Sequence, residues 1–338
     1  MQDDPLVSVI ALCYNHSRYV IECLESIRTQ TYKNVQLIVL DDCSRDNSVE
    51  RIQQWISDHS VDCFFIEHRA NKGICKTLNE GMRHAKGRYI SLIATDDIWM
   101  PDKLEHQVRE MEKRPEDVGV LYSDAYRIDE SGRRLPDMYI EAMYREARKH
   151  FSRPPEGHIF SALVENNFIP GMTTLIRKSC YNKVGLYDER LCFEDWDMWF
   201  RISQHFTFAY SPIVSAKYRI VSTSASRTLL QQRNGWVLGS NFLLREKCFT
   251  YSGISAEDKG ALLFVMRWIV ERMYELRLVH RHLYSWKLFR HVRSPWALSM
   301  FLFSICGLSY ASFCRSYAWF VRSGLRSKLA NSNRIPLS

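Results

Sequence analysis

At 338 residues, with 46% hydrophobic and 25% charged side chains, the chain has a folding composition, which excludes a disordered or fibrous protein and allows one large domain or two smaller ones. The formal charge is +8, but residues 267–334 hold twelve Lys/Arg against Glu271 and Glu275, a net +10 that leaves −2 for the rest. The basicity therefore belongs to the C-terminal part and not to the main domain.

The first half alternates strand and helix. VSVIALCY (7–14) is a buried-strand run. Residues 17–30 carry Val20, Ile21, Leu24 and Ile27 at helical spacing, with Ser17 as the expected N-cap. VQLIVL (35–40) is a second strand and ends in Asp41-Asp42. A helix is expected over 46–57, a strand over 63–66 and a helix over 74–85. RYISLIA (88–94) is a fourth strand, mostly apolar, running into Thr95-Asp96-Asp97. A helix over 101–113 follows, with Pro101 in its first turn. Further on, 119–128 reads as a strand and 134–157 as a polar, irregular, mobile loop. Residues 173–177 read as a short strand, 195–205 as a helix, and 208–220 as one or two strands. From about 229 the pattern is helical, basic and aromatic.

Strands separated by such helices predict βαβ units in a mostly parallel sheet. Ligands of these sheets bind beyond the carboxyl ends of the strands. Tyr14-Asn15, Asp41-Asp42 and Thr95-Asp96-Asp97 all fall at those ends.

Of ten cysteines, none forms a CxxC pair or sits at zinc-site spacing with histidine. The N-terminal MQDDPLVSVIALCYN starts acidic and lacks the pattern of a signal peptide. Free, mostly buried thiols in a reducing cytoplasm are the expectation.

Three acidic places carry candidate chemistry. Asp96-Asp97 at a strand end suits a hard cation that bridges carboxylate and phosphate, and equally a solvated turn capping the next helix. Asp41-Asp42 suits a nucleobase N–H, and equally a capping turn supplied by Ser44, Asp46 and Ser48. In FEDWDMWFR, Glu194, Asp195 and Asp197 lie among aromatics, which raises a carboxylate's pKa and makes Asp195 a candidate general base. Acids favoured in a helix's first turn are the alternative there.

Four stretches taken together resemble the family-2 glycosyltransferases of the GT-A fold: VSVIALCYNHSRYVIECLESIRTQTYKNVQLIVLDDCSRDNS, HRANKGICKTLNEGMRHAKGRYISLIATDDIWMPDKL, TTLIRKSCYNKVGLYDERL and FEDWDMWFRIS. They occur in the family's order over residues 5–222. The resemblance implies an α/β GT-A domain over 1–222, with a nucleotide-sugar-binding half (1–115) and an acceptor and catalytic half (116–222). A helical, membrane-associating extension would cover 223–338. It implies an inverting transferase that moves a sugar from a nucleotide-diphosphate donor, UDP favoured over GDP or dTDP, to an acceptor hydroxyl. By motif position Tyr14 would stack on the base, beside Asn15. Asp42 would contact the base edge with Asp41 behind it. Lys72 and Gly73 would approach the nucleotide. Asp96 would face the ribose or the metal, and Asp97 would hold Mn²⁺ or Mg²⁺ against the diphosphate. Asp195 would take the acceptor's proton, with Glu194, Thr173 and Thr174 on the acceptor side. Cys13 stands where many relatives carry Pro or another small residue, and His16 where they vary. Both leave the nucleotide open.

The tail holds SPWALSMFLFSICGLSYASFC (294–314), 21 uncharged residues with five serines, a proline and a glycine. That composition favours an interfacial helix or hairpin on an anionic leaflet over a full span. A lipid-linked oligosaccharide acceptor would explain the tail, as in O-antigen, capsule or exopolysaccharide synthesis. The enzyme would then sit on the cytoplasmic face of the cell membrane. Nucleic-acid binding is disfavoured, because phosphate tracking wants charge throughout. A NAD-dependent oxidoreductase is disfavoured because no G-x-G-x-x-G follows the first strand. A non-catalytic glycosyltransferase-like binding module and transfer to a protein acceptor remain as alternatives.

Overall fold

The computed structural model describes residues 4–147, 152–221, 235–278, 280–293 and 295–305. The chain divides into two compact units, Met1–Arg227 and Thr228–Ser338.

The first unit is built on one mixed sheet. Strands β1 (Val7–Cys13), β2 (Val35–Asp41), β3 (Cys63–Glu67) and β4 (Tyr89–Ala94) form its parallel part, in the order β3-β2-β1-β4. Their apolar runs are buried by helices, as continuous hydrophobic strands of a parallel sheet require. In α1 (Val20–Arg28), Val20, Cys23, Leu24 and Ile27 form the inward stripe. Ser17 does not cap this helix. Its N–H donates to Asp46 Oδ2 at 3.0 Å, and Tyr19 holds the N-cap position after a turn closed on His16 C=O. Helix α2 (Ser48–His59) starts two residues later than expected, because Asp46 takes the Ser48 N–H and hydroxyl. Helix α3 (Ile74–His84) lies close on the sheet at Gly81, where a Cβ would meet Ile10 Cγ2 at 2.8 Å. Pro101 lies ahead of α4 (Lys103–Met111) rather than in its first turn.

The sheet continues through β8 (Leu175–Arg177), β6 (Val118–Ile128), β9 (Thr207–Arg219) and β5 (Ile98–Trp99), with β7 (Arg134–Met138) paired to β6. Pairs β4–β8, β6–β8, β6–β7 and β5–β9 are antiparallel, whereas β6–β9 is parallel. The expected one or two strands over 208–220 are thus one long strand that ends at Arg219. The mobile-loop expectation for 134–157 is overturned: β7 pairs with β6, and α5 (Tyr139–Glu146) follows, burying Ile140 and Ala142. Asp124 Oδ1 accepts the Ile140 N–H at 3.1 Å and anchors the start of that helix. Residues 148–151 of the expected loop lie outside the described residues. Helices α6 (Phe160–Glu165), α7 (Lys178–Val184) and α8 (Glu194–Ser203) complete the unit. Thr173 lies in a 3₁₀ turn ahead of β8.

The second unit contains α9 (Gly235–Phe249), α10 (Ala256–Glu275), α11 (Arg281–Val292) and α12 (Pro295–Ile305). Ser255 caps α10 by accepting the Asp258 N–H at 3.0 Å. Phe242, Met266, Ile269, Met273, Leu288 and Met300 are among the residues of its core. Among the described residues no helix is long and apolar enough to cross a membrane. Of the uncharged run 294–314, only 295–305 is described, as one short helix. The remainder lies outside the described residues, as do Cys306 and Cys314. Every described cysteine is a free thiol, and most are buried.

Candidate active site

Register brings three of the acidic or polar stretches to one edge. Cys13 pairs with Asp41 and Leu12 with Ala94, so β1, β2 and β4 end side by side. Tyr14 follows β1 with 43% of its surface exposed, a free aromatic face. Asn15 is left-handed (φ 58°), and its side chain is engaged locally: Oδ1 accepts the Arg45 N–H at 2.7 Å. Asp41 is fully buried and accepts both the Ser44 N–H (2.7 Å) and hydroxyl (2.6 Å), which shapes the turn after β2.

Asp42 organises the second loop. Its Oδ1 accepts from His68 Nδ1 and the Lys72 N–H, both at 2.8 Å, and its Oδ2 accepts the Gly73 N–H at 2.9 Å. Charge-assisted bonds of this kind fix the loop ahead of α3. Gly73 has φ 82°, a conformation that disfavours a Cβ although the space beside it is open. Lys72 Nζ pairs with Glu80 Oε2 at 2.7 Å, and the same oxygen meets His68 Nε2 at 3.1 Å.

Thr95, Asp96 and Asp97 are buried in the turn after β4. Burial first, and the Asp96 charge second, hold the Asp97 carboxyl well above the usual carboxylate range, against the pull of Arg219. Arg219 donates its main-chain N–H to Asp97 Oδ1 at 2.9 Å and its Nε–H to the Asp96 C=O at 2.9 Å. His16 bridges from the β1 loop, with Nδ1 3.0 Å from Thr95 Oγ1 and Nε2 3.7 Å from Asp96 Oδ2.

Asp195 lies in the first turn of α8, partly exposed. Asn167 Nδ2 donates to both carboxylate oxygens, at 3.2 and 3.1 Å, and the Trp196 N–H donates at 2.6 Å. Burial raises its pKa, and these donors oppose the rise. Glu194 has no such side-chain donor among the described residues. Burial and the Asp195 charge push it up to about 8. Burial thus raises both neighbours: the Asp195 charge adds to the rise at Glu194, whereas hydrogen-bond donors oppose it at Asp195. Asp197 is engaged structurally, paired with Arg201 at 2.8 Å.

Two side chains show that these places converge. The Tyr139 phenol is raised by burial, then by Tyr218, then by the charges of both Asp195 and Asp97. The Cys75 thiol, in the first turn of α3 just after Gly73, is raised by burial and then by Glu194 and Asp197. The loop after β4, the start of α3 and the start of α8 therefore share one neighbourhood. Thr173 and Thr174 are fully buried, and their hydroxyls hold the main chain at Ser123, Pro170 and Gly171. Both hydroxyls are therefore occupied inside the fold.

Sequence reasoning missed Arg219, His68, Asn167 and Tyr139. A charged residue ending a long strand marks Arg219. The others carry no signal short of the fold.

A hard cation takes one or two carboxylates and completes its shell with water and phosphate oxygens. Asp96-Asp97 offers that set, and no group of three or more His, Cys, Asp or Glu ligands occurs among the described residues.

The family described as Glycosyl transferase family 2 matches residues 8–184. An uncharacterized glycosyltransferase of Rickettsia typhi is 31% identical over 241 residues, covering 71% of this chain and 72% of the relative. The Escherichia coli UDP-Glc:alpha-D-GlcNAc-diphosphoundecaprenol beta-1,3-glucosyltransferase WfaP is 30% identical over 234 residues, covering 68% and 84%. Among solved structures, the mannosyltransferase PcManGT of Pyrobaculum calidifontis, in complex with GDP-Man and Mn²⁺, is similar with TM-score 0.57 at 16% identity, covering 94% of this chain and 81% of that one. S. aureus TarS 1–349 with UDP-GlcNAc gives 0.58 at 14%, covering 93% and 92%. These likenesses show the GT-A fold.

Proposed function

The chain belongs to glycosyl transferase family 2, and from that premise we propose that it moves a sugar, with inversion, from a UDP-sugar to the hydroxyl of a lipid-linked oligosaccharide in surface-polysaccharide assembly. The observation that supports this reading best is the common edge at which β1, β2 and β4 end, carrying Tyr14, Asp42 and Asp96-Asp97, with the charges of both Asp97 and Asp195 felt at Tyr139. The names of WfaP and TarS support a UDP donor, and that of WfaP a lipid-linked acceptor. The name of PcManGT keeps GDP as the competing donor.

In this mechanism Tyr14 stacks on the base, and Asp42, with Asp41 behind it, fixes the Lys72-Gly73 loop along the nucleotide. Asp96 and Asp97 would hold Mn²⁺ or Mg²⁺, which when bound would neutralise charge growing on the leaving diphosphate. Asp195, oriented by Asn167, accepts the acceptor hydroxyl's proton as that oxygen bonds to the anomeric carbon. The bond from that carbon to the β-phosphate oxygen breaks on the opposite face, and its electron pair leaves with the nucleotide. Glu194, protonated, is a donor for an acceptor or sugar oxygen.

The second unit would meet the membrane. Trp236, Phe264, Trp268 and Trp286 stand exposed there, Phe264 and Trp268 one turn apart on α10, in a basic part of the chain. Exposed aromatics with Lys/Arg suit an anionic cytoplasmic leaflet. Flotation with anionic vesicles tests this, and equal behaviour of wild type and Trp268→Glu would count against it.

The reading as a whole is tested by incubating UDP-sugars with polyprenyl-diphosphate-linked acceptors and reading the product's anomeric configuration by NMR. Retention of the donor's configuration would overturn the mechanism.

A further inference from the structure

Arg219 closes β9 with only 2% of its surface exposed. Besides its two contacts to Asp96 and Asp97, its Nη2 meets Glu22 Oε2 of α1 at 2.6 Å. Its Nη1 faces the C=O groups of Asp129 and Glu130 at 3.4 and 3.5 Å, and its guanidinium lies 4.6 Å from the centre of the Tyr19 ring. One side chain therefore ties α1, the turn after β4, the β6–β7 turn and the end of β9 together. The guanidinium is thus engaged by protein acceptors on three sides.

We infer that Arg219 is the positioning residue of the Asp96-Asp97 turn: it fixes the direction of the Asp97 carboxyl group and holds the Asp96 main chain in place. The two functions come from different atoms. The main-chain N–H takes Asp97 Oδ1, leaving the other oxygen as the one for a cation. The fork locks the Asp96 carbonyl and is itself balanced by Glu22. A stacked arginine whose three nitrogens reach different partners is not replaceable by lysine, which keeps the charge but loses the fork. The inference rests on the reading of Asp97 as a cation ligand.

The test is nucleotide binding by calorimetry over a Mn²⁺ series, for wild type, Arg219→Lys and Glu22→Gln, alongside melting temperatures. Arg219→Lys is expected to raise the Mn²⁺ concentration for half-maximal UDP binding by about 10-fold or more, the range for changes to side chains that orient a metal's ligands. Metal-free UDP binding should stay unchanged. Glu22→Gln, at a half-exposed position on α1, should shift it in the same direction by a smaller factor, and it serves if Arg219→Lys fails to fold. An unchanged Mn²⁺ requirement in every variant that folds, or equal weakening with and without metal, overturns the inference. Wild type that binds no nucleotide, or binds UDP without any effect of Mn²⁺, overturns the underlying reading instead.

Discussion

Asn167 donates one amide nitrogen to both carboxylate oxygens of Asp195, at 3.2 and 3.1 Å. The donation favours the ionised carboxylate that a base needs, in a place where burial works the other way. Asn167→Ala should therefore move the acid limb of the kcat profile to higher pH. Below that limb, kcat should fall about 10-fold for each pH unit the limb moves. The donor KM should hold. The Asn167 Oδ1 is buried with no partner among the described residues, so the same variant should lose little melting temperature. A pH–rate series with thermal melts checks both.

Asp195→Asn keeps the shape and removes the base. A positioned general base contributes about 10²–10⁴-fold, so kcat should fall by that order while nucleotide affinity holds. Single-turnover transfer beside calorimetry would show it. A variant with undiminished turnover would move the base elsewhere.

Glu194 contributes a pH dependence of stability. Its folded pKa, about 8, lies above its ordinary value, so the folded state holds the proton more tightly than the unfolded state. Stability from this group is full below the ordinary carboxylate pKa and declines as pH rises towards 8. Glu194→Gln, permanently neutral, should melt a few degrees higher than wild type at pH 8.5 and nearly equally at pH 4. Melting curves at the two pH values decide the sign.

Gly73 has φ 82° with open space around it. Gly73→Ala meets no steric block, so the penalty is conformational, about 1–3 kcal/mol. The strain falls on the loop that Asp42 holds, and nucleotide binding should weaken along with stability. Urea unfolding and UDP titration of one variant measure the two together.

The carboxyl edge of the parallel strands was legible in sequence because β1, β2 and β4 are continuous apolar runs, each followed directly by polar residues, Tyr14, Asp42 and Asp96-Asp97. What escaped depends on pairing across the fold. β5 is two residues long and exists because Lys217 and Ala216 pass beside it. β7, RLPDM, carries a proline and two charges and reads as loop, yet it pairs with β6, which is where strands with proline are tolerated. His68, Asn167 and Arg219 gain their roles only when chain neighbours 26, 28 and 122 residues away are brought to them.

Calorimetric titration of UDP, GDP and dTDP, with and without Mn²⁺, on wild type and Asp97→Asn addresses the central claim most directly. Metal-dependent binding of UDP, lost in Asp97→Asn, is the predicted result. Absence of binding by all three nucleotides with or without metal would contradict it, leaving Asp96-Asp97 as a buried turn held by Arg219 and nothing more.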